Sequence, residues 1–416
     1  MTQLTNWNGL STTGNPPDAS LAVSTNYIVE TLRFGVQVYS KTGTALSYFS
    51  LSNFFGTGTD YITDPQVAYT GGHFFATVAD FTSDTVKLRV TATGDPTANW
   101  NKWDFLTYNA YCPDQPTIGY DPGVFSISVN LFDTGCPAGA TYYGVWYWII
   151  NQNNLDFGQT ANYYTPSSPM AADWSIHPSQ DLGSSSVQYF AETGHSGVSS
   201  LFMFVASGTP PNPVTVTEHV LSTRQFNTAP SAVEPGTSGT GVYVDTGDNR
   251  ATSVTDYNGK LWVAANDLCY PGSDRTARSC VRMIQVDTGS WAVNQDFDIG
   301  AEYSYYFYGS LSIDYYSNID IVVGQSSSSI YPSVLGTGQK TTDPVNTWEV
   351  EISLQSGVGN IGGGTTTCGS HTCYRWGDYF GAGLDQADVS KVWVVGEYGT
   401  TSTTTYGTWI SQIAVS

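Results

Sequence analysis

The chain has 416 residues, 43 of them Gly, 28 Tyr, 18 Phe and 12 Trp, and only 12% are charged. Lys+Arg 14 against Asp+Glu 35 leave a net charge of −21, which argues against the basic patch that nucleic acid or an anionic membrane requires. Strand and turn formers dominate, no long stretch repeats apolar residues at helical spacing, and no apolar run is long enough to span a bilayer, so an all-β protein without a membrane span is expected.

Taken in order, residues 1–15 are polar, with Leu4 and Trp7 as the large anchors, and read as a strand seeking a partner at the other end of the chain. A strand–turn–strand phrase then recurs: Pro116–Tyr120 through Asp121-Pro-Gly123 into Val124–Val129, Ala251–Asp256 through Tyr257-Asn-Gly259 into Lys260–Ala264, Ser310–Asp314 into Ile319–Val323, and Asp378–Leu384 into Val392–Val395. Each turn uses residues that tolerate positive φ. Hairpins repeating at roughly 50 to 60 residues are the mark of propeller blades. The windows are 16–52, 63–105, 112–157, 177–221, 242–300, 306–354 and 375–416, the last completed by residues 1–12. One seven-bladed β-propeller domain is therefore expected, with a two-domain β-sandwich as the alternative. Closure of the ring by the N-terminal strand would remove open sheet edges. The segment 151–176 reads as an irregular surface crossing, and Gly362–Cys368 as a flexible loop.

Six cysteines fall in close pairs, Cys112 with Cys136, Cys269 with Cys280 and Cys368 with Cys373, and predict three local disulfides formed outside the cytosol. Zinc is the rival, but only His371, between Cys368 and Cys373, lies near ligand spacing. Met1-Thr-Gln-Leu-Thr-Asn6 lacks a basic start and an apolar core, so a secreted chain would be met here in mature form, without its signal peptide. The acidic balance also fits an acidic habitat.

Gly14-Asn-Pro-Pro-Asp18, Asp64-Pro-Gln66, Pro113-Asp-Gln-Pro-Thr-Ile-Gly119, Ser327-Ser-Ser-Ile-Tyr-Pro-Ser333 and Tyr374-Arg-Trp-Gly-Asp-Tyr379 resemble phrases of a large group of secreted prokaryotic seven-bladed β-propellers. That group has no established common activity. The resemblance implies fold and compartment and transfers no catalytic residue.

Propellers usually place their sites where the innermost strands meet the central channel, and Asp18, Asp64, Asp114, Asp181, Asp248 and Asp378 fall at such strand starts, with Arg250 and Arg375 as cations. Asp at a strand start also serves simply to accept hydrogen bonds from turn amides. Functionally, Asp18, Asp64, Asp114 and Asp378 could hold Ca²⁺, or Asp378 and Asp114 could do acid/base work on a glycosidic bond with Arg375 positioning the substrate. His177 beside Asp181 could act as base and orienter, against the plainer reading of a buried, satisfied histidine. The aromatic run Tyr303–Tyr308 could stack sugars or pack blades. No Gly-x-Ser-x-Gly, His-Glu-x-x-His, phosphate loop or Ser-x-Asp-x-Gly-x-Thr-Trp box occurs.

The reading reached is an extracellular propeller that recognises, and if catalytic cleaves, a neutral or weakly charged glycan as a hydrolase or lyase. Asp378, Arg375, Asp114 and His177 are the catalytic candidates. Asp64, Asp181, Arg250, Tyr308 and Tyr379 are the ligand contacts, and Ca²⁺ is the one cofactor considered. The rival is a non-catalytic adhesin, lectin-like module or subunit of a cell-surface or filamentous assembly, contacting other surface proteins or self-associating through the N-terminal strand.

Overall fold

The computed structural model describes residues 1–133, 136, 140–239, 241–368 and 371–415. It is an all-β chain of propeller type. Consecutive strands hydrogen-bond as antiparallel meanders: Ser20–Val23, Tyr27–Leu32, Gly35–Ser40 and Ala45–Ser50; then Ile62–Thr70, His73–Asp80, Thr85–Thr91 and Trp100–Leu106; then Cys112–Asp121, Val124–Phe132, Tyr142–Asn151 and Tyr163–Tyr164. Further along come His177–Pro178, Val187–Thr193, Ser200–Ser207 and Thr215–Ser222; Ala251–Tyr257, Lys260–Cys269, Arg278–Asp287 and Ala292–Ile299; and Tyr305–Ile313, Ile319–Ser327, Ile330–Gln339 and Ile352–Gln355.

The final sheet joins the two ends of the chain. Gly381–Leu384, Val392–Gly399 and Tyr406–Ala414 are followed, outermost, by Thr2–Thr12, with Thr2 opposite Ala414 and Thr12 opposite Tyr406. Trp7 secures this closure, its ring 5.1 Å from that of Trp393. One edge of the N-terminal strand is thus taken up by its own chain, so the strand that self-association would have used is not free on that side.

Burial grades across each meander. Ser20–Val23 and Tyr305–Ile313 are buried along their whole length. An outer strand such as Ala292–Ile299 alternates between covered and open positions, as a strand with one wet face should. Between neighbouring meanders, inward side chains form continuous apolar layers. Phe75 stacks on Phe125 at 4.5 Å, and both belong to a cluster that includes Leu88, Ile127 and Trp148. The aromatic run before Ile313 packs in the same way: Tyr305, Tyr306, Phe307 and Tyr308 are buried, and only Tyr303 stands out in solvent. Packing, then, accounts for most of that cluster.

The repeated phrases are hairpins, as the turn residues require. At Asn258-Gly259 both residues adopt positive φ, 50° and 75°, the backbone that an Asn-Gly two-residue turn supplies. The three disulfides join Cys112 to Cys136, Cys269 to Cys280 and Cys368 to Cys373, which leaves no thiolate for zinc.

Several expectations need correction. The meander expected from residue 242 begins at Ala251, because Val242–Val244 pairs in parallel with His371–Tyr374 instead. The expected loop 362–368 contributes the strand Thr365–Cys368, paired with His371–Tyr374 and tied by a disulfide. The consecutive β-branched threonines Thr365-Thr-Thr367 favour the strand conformation here. The irregular crossing after Asn151 holds a short helix, Gln152–Asp156, and the edge strand Tyr163–Tyr164. Finally, Gln180–Asp181 pairs in parallel with both Cys112–Asp121 and Ala251–Tyr257, linking two meanders into one nine-stranded sheet. This parallel bridge shows that these innermost strands run in the same direction, so the channel has one mouth at the strand starts and another at the strand ends.

Candidate functional site

At the strand starts lies a polar cavity of about 350 Å³, walled by Asp114, Asp248, Arg250, Tyr308, Arg375 and Asp378. Each side chain arrives from the beginning of an innermost strand or the loop leading into it. Thr366 and Thr367, from the extra hairpin, contribute to the wall. Arg250 holds Asp248 in a two-pronged pair, Nε to Oδ1 at 2.7 Å and Nη2 to Oδ2 at 2.6 Å, the geometry that guanidinium and carboxylate favour. Arg375 donates to Asp378 at 2.5 Å, and its Nε lies 3.8 Å from Asp245. Both arginines are thereby neutralised by carboxylates of the chain itself.

The acidic groups differ in what holds them. Burial, reinforced by the nearby Asp64 carboxylate, pushes the Asp114 carboxyl up to about 7, with Arg250 opposing. Asp245 is also raised, by burial and then by Asp378. Asp248 stays below its ordinary range, because Arg250 outweighs the burial that would raise it. Tyr308 is almost wholly buried and its phenol is pushed well above its usual value, by burial first and then by Asp245 and Asp378. Its hydroxyl has no hydrogen-bond partner among the described residues although it borders the cavity. The Tyr308 ring is pressed by the loop at Gly247, where φ is +70° and a Cβ would stand 2.9 Å from ring Cε1. Only glycine fits that approach without displacement.

Behind this cavity Asp18, Asp64 and Asp378 form a tighter group, each offering an oxygen within 4.8 Å of the others. Asp64 accepts from the Thr63 hydroxyl at 2.8 Å and from the Gln115 amide at 3.0 Å. Asp18 Oδ1 accepts the Asp378 amide at 3.1 Å.

The structure brings Asp378, Arg375, Asp114, Arg250 and Tyr308 together, with Asp64 and Asp18 just behind, and separates the rest. His177 lines a narrow waist of about 30 Å³ farther down the channel, with Tyr379. Burial depresses the His177 imidazole to about 4, and its Nδ1 is engaged by the Pro178 carbonyl at 2.9 Å. Asp181 lies at the other mouth, both of its oxygens taken by the amides of Gly183 and Ser185 at 2.6 and 2.7 Å. A His177–Asp181 base and orienter is therefore not assembled, because each group is spent on its own backbone. Tyr379 is buried, its hydroxyl donating to the Pro65 carbonyl at 2.9 Å, so it offers no open stacking face. Asp245 and the two threonines were missed in the sequence. They are brought in by a three-stranded sheet in which His371–Tyr374 lies between Val242–Val244 and Thr365–Cys368.

Together, the sheets and the channel-mouth cavity define an all-β protein of propeller type. No protein-family model matches the chain, and no curated protein sequence matches it, so the resemblance to the secreted prokaryotic group rests on its short phrases alone. Solved structures are similar in fold at low identity. Raptor of Chaetomium thermophilum matches with a TM-score of 0.50 and 11% identity, over 100% of this chain and 29% of that one. The WD40 domain of Pan2 from Neurospora crassa matches at 0.47 and 8%, over 100% and 96%. A sialidase of Trypanosoma rangeli matches at 0.40 and 9%, over 99% and 60%.

Proposed function

We propose that this protein is a secreted seven-bladed propeller of one domain that binds a neutral or weakly charged glycan in the cavity at the strand starts, and cleaves it there. The observation that carries the reading is the Tyr308 hydroxyl, buried and unpartnered on the wall of a polar cavity where Asp114, Arg250, Arg375 and Asp378 converge. A buried hydroxyl without a partner is costly unless a ligand completes it. Because each arginine already has its own carboxylate, the cavity offers directional hydrogen bonds more than net charge, which suits a polyhydroxy ligand. Its volume of about 350 Å³ lies within the range of small-ligand sites.

In this reading Asp114 is the proton donor. Its raised carboxyl keeps a proton in mildly acidic solution and gives it to the glycosidic oxygen as the C–O bond breaks. Water attacks the sugar carbon, and its proton passes to Asp378 or Asp245, which Arg375 holds in place. The three disulfides fit a site of action outside the cell.

The test is a polysaccharide panel read by thermal midpoint and by product analysis. A cognate glycan raises the wild-type midpoint, Arg375→Ala abolishes that shift, and Asp114→Asn keeps binding but loses about 100-fold or more in cleavage. Cleavage by Asp114→Asn at the wild-type rate refutes the assigned acid. Binding without product selects the lectin-like alternative.

A further inference from the structure

The group formed by Asp18, Asp64 and Asp378 has a feature its neighbours lack. Asp18 is 0% exposed, and its Oδ2 has no hydrogen-bond donor among the described residues. The other carboxylates in the group are served: Asp64 by the Thr63 hydroxyl and Gln115 amide, Asp378 by the Arg375 guanidinium. Burying a carboxylate oxygen without a donor or a cation is among the most expensive arrangements in a protein. Three carboxylates here face one arginine at bonding distance, and Glu397, next to them, spends its own carboxylate on the amides of Ala19 and Gly377 at 3.0 and 3.2 Å.

The spacing points to what is wanted. The three oxygens lie within 4.8 Å of one another. An ion bound at about 2.3–2.6 Å, the range for Ca²⁺ and oxygen, would reach oxygens up to about 5 Å apart. A divalent ion would also match the group in its ionised form, in which three carboxylates and one guanidinium sum to −2. We propose that Asp18, Asp64 and Asp378 form a Ca²⁺ site, with the free Oδ2 of Asp18 as its central ligand and channel waters completing the shell. Asp114, considered with them from sequence, belongs to the cavity wall instead.

The location gives the ion a task. Asp18 precedes Ser20–Val23, Asp64 lies in Ile62–Thr70 and Asp378 precedes Gly381–Leu384. These are the first two meanders and the last, which flank the join between chain ends. A cation there ties three innermost strands together across the seam of the ring, and it fixes the Asp378 side of the glycan cavity from behind.

The experiment uses the full chain, stripped with a chelator and titrated with Ca²⁺ or Mg²⁺ alone. Since it contains no glycan, its failure leaves the glycan reading standing, and the reverse holds too. At about 1 mM Ca²⁺, within the affinity range of extracellular calcium modules, the thermal midpoint should rise by about 3 °C or more. Calorimetry should show one site, with Mg²⁺ weaker. Asp18→Asn should lose both the heat and the shift. If that variant fails to fold, Asp64→Asn and the wild-type calorimetry decide alone. The proposal is overturned if the wild type gives no heat and no shift, or if a folded Asp18→Asn or Asp64→Asn binds Ca²⁺ as the wild type does, since the ion would then sit elsewhere.

Discussion

Glu234 offers a direct measure of how burial sets the pH response of this fold. Its side chain is 0% exposed; Oε2 accepts the Ile361 amide at 2.9 Å and Oε1 has no partner among the described residues. Burial raises its carboxyl from 4.5 to about 7. A group whose folded value lies above its unfolded value stabilises fully below the unfolded value and loses that contribution as pH rises through the folded one. Here the window runs from about 4.5 to a little above 7. At about 1.36 kcal/mol per pH unit, the loss on going from pH 4.5 to pH 8 is about 3 kcal/mol. Glu234→Gln keeps the shape and the acceptor for Ile361 but cannot ionise. Denaturant unfolding of both proteins from pH 5 to 8.5 should therefore give curves that are not parallel: the wild type loses about 2.5 kcal/mol more than the variant across that interval, and the variant is the more stable above pH 8. Asp121 and Glu397, also raised by burial, to about 7 and about 8, steepen both curves alike. Parallel curves would refute the assignment of an uncharged buried carboxyl at 234.

Two further outcomes follow from geometry. Gly247→Val places a branched side chain at φ +70° and against the Tyr308 ring; stability should fall by about 1–3 kcal/mol, and glycan affinity should fall with it, as read by paired unfolding and binding curves, whereas unchanged affinity would remove Tyr308 from the site. Replacing disulfide cysteines by serine should cost more at Cys112–Cys136, with 24 residues of separation, than at Cys368–Cys373, with 5: loop entropy gives about 3 against about 2 kcal/mol, and the reverse order in melting experiments would show that local strain dominates.

What the sequence made legible was local. The hairpins were readable because Asn258-Gly259 and its counterparts carry their own turn geometry, and the cysteine pairs because they are close along the chain. The N-terminal strand could be assigned to the last sheet because a three-stranded remainder needs a fourth. The cavity was legible only in part. Asp114, Arg250, Arg375 and Asp378 announce themselves at strand starts, but the same positions produced Asp181, which faces the other mouth, and His177, which is sealed in the waist. Which end of the channel a residue reaches depends on where its strand enters the ring, and for His177–Asp181 that strand is broken into two short pieces with different partners. Asp245 and the threonine hairpin were hidden because their pairing joins Val242–Val244 to His371–Tyr374, a contact that no local pattern encodes.

The pairing of Thr2–Thr12 with Tyr406–Ala414 also sets an order of events in time. At about 5–20 residues per second of synthesis, the first strand waits about 20–80 s for its partner to exist. During that interval its neighbour-to-be is absent and Trp7 has no Trp393 to meet. The polar, half-open character of residues 2–11 is what such a wait demands: an early strand that is poorly equipped to bind anything until the last strand arrives.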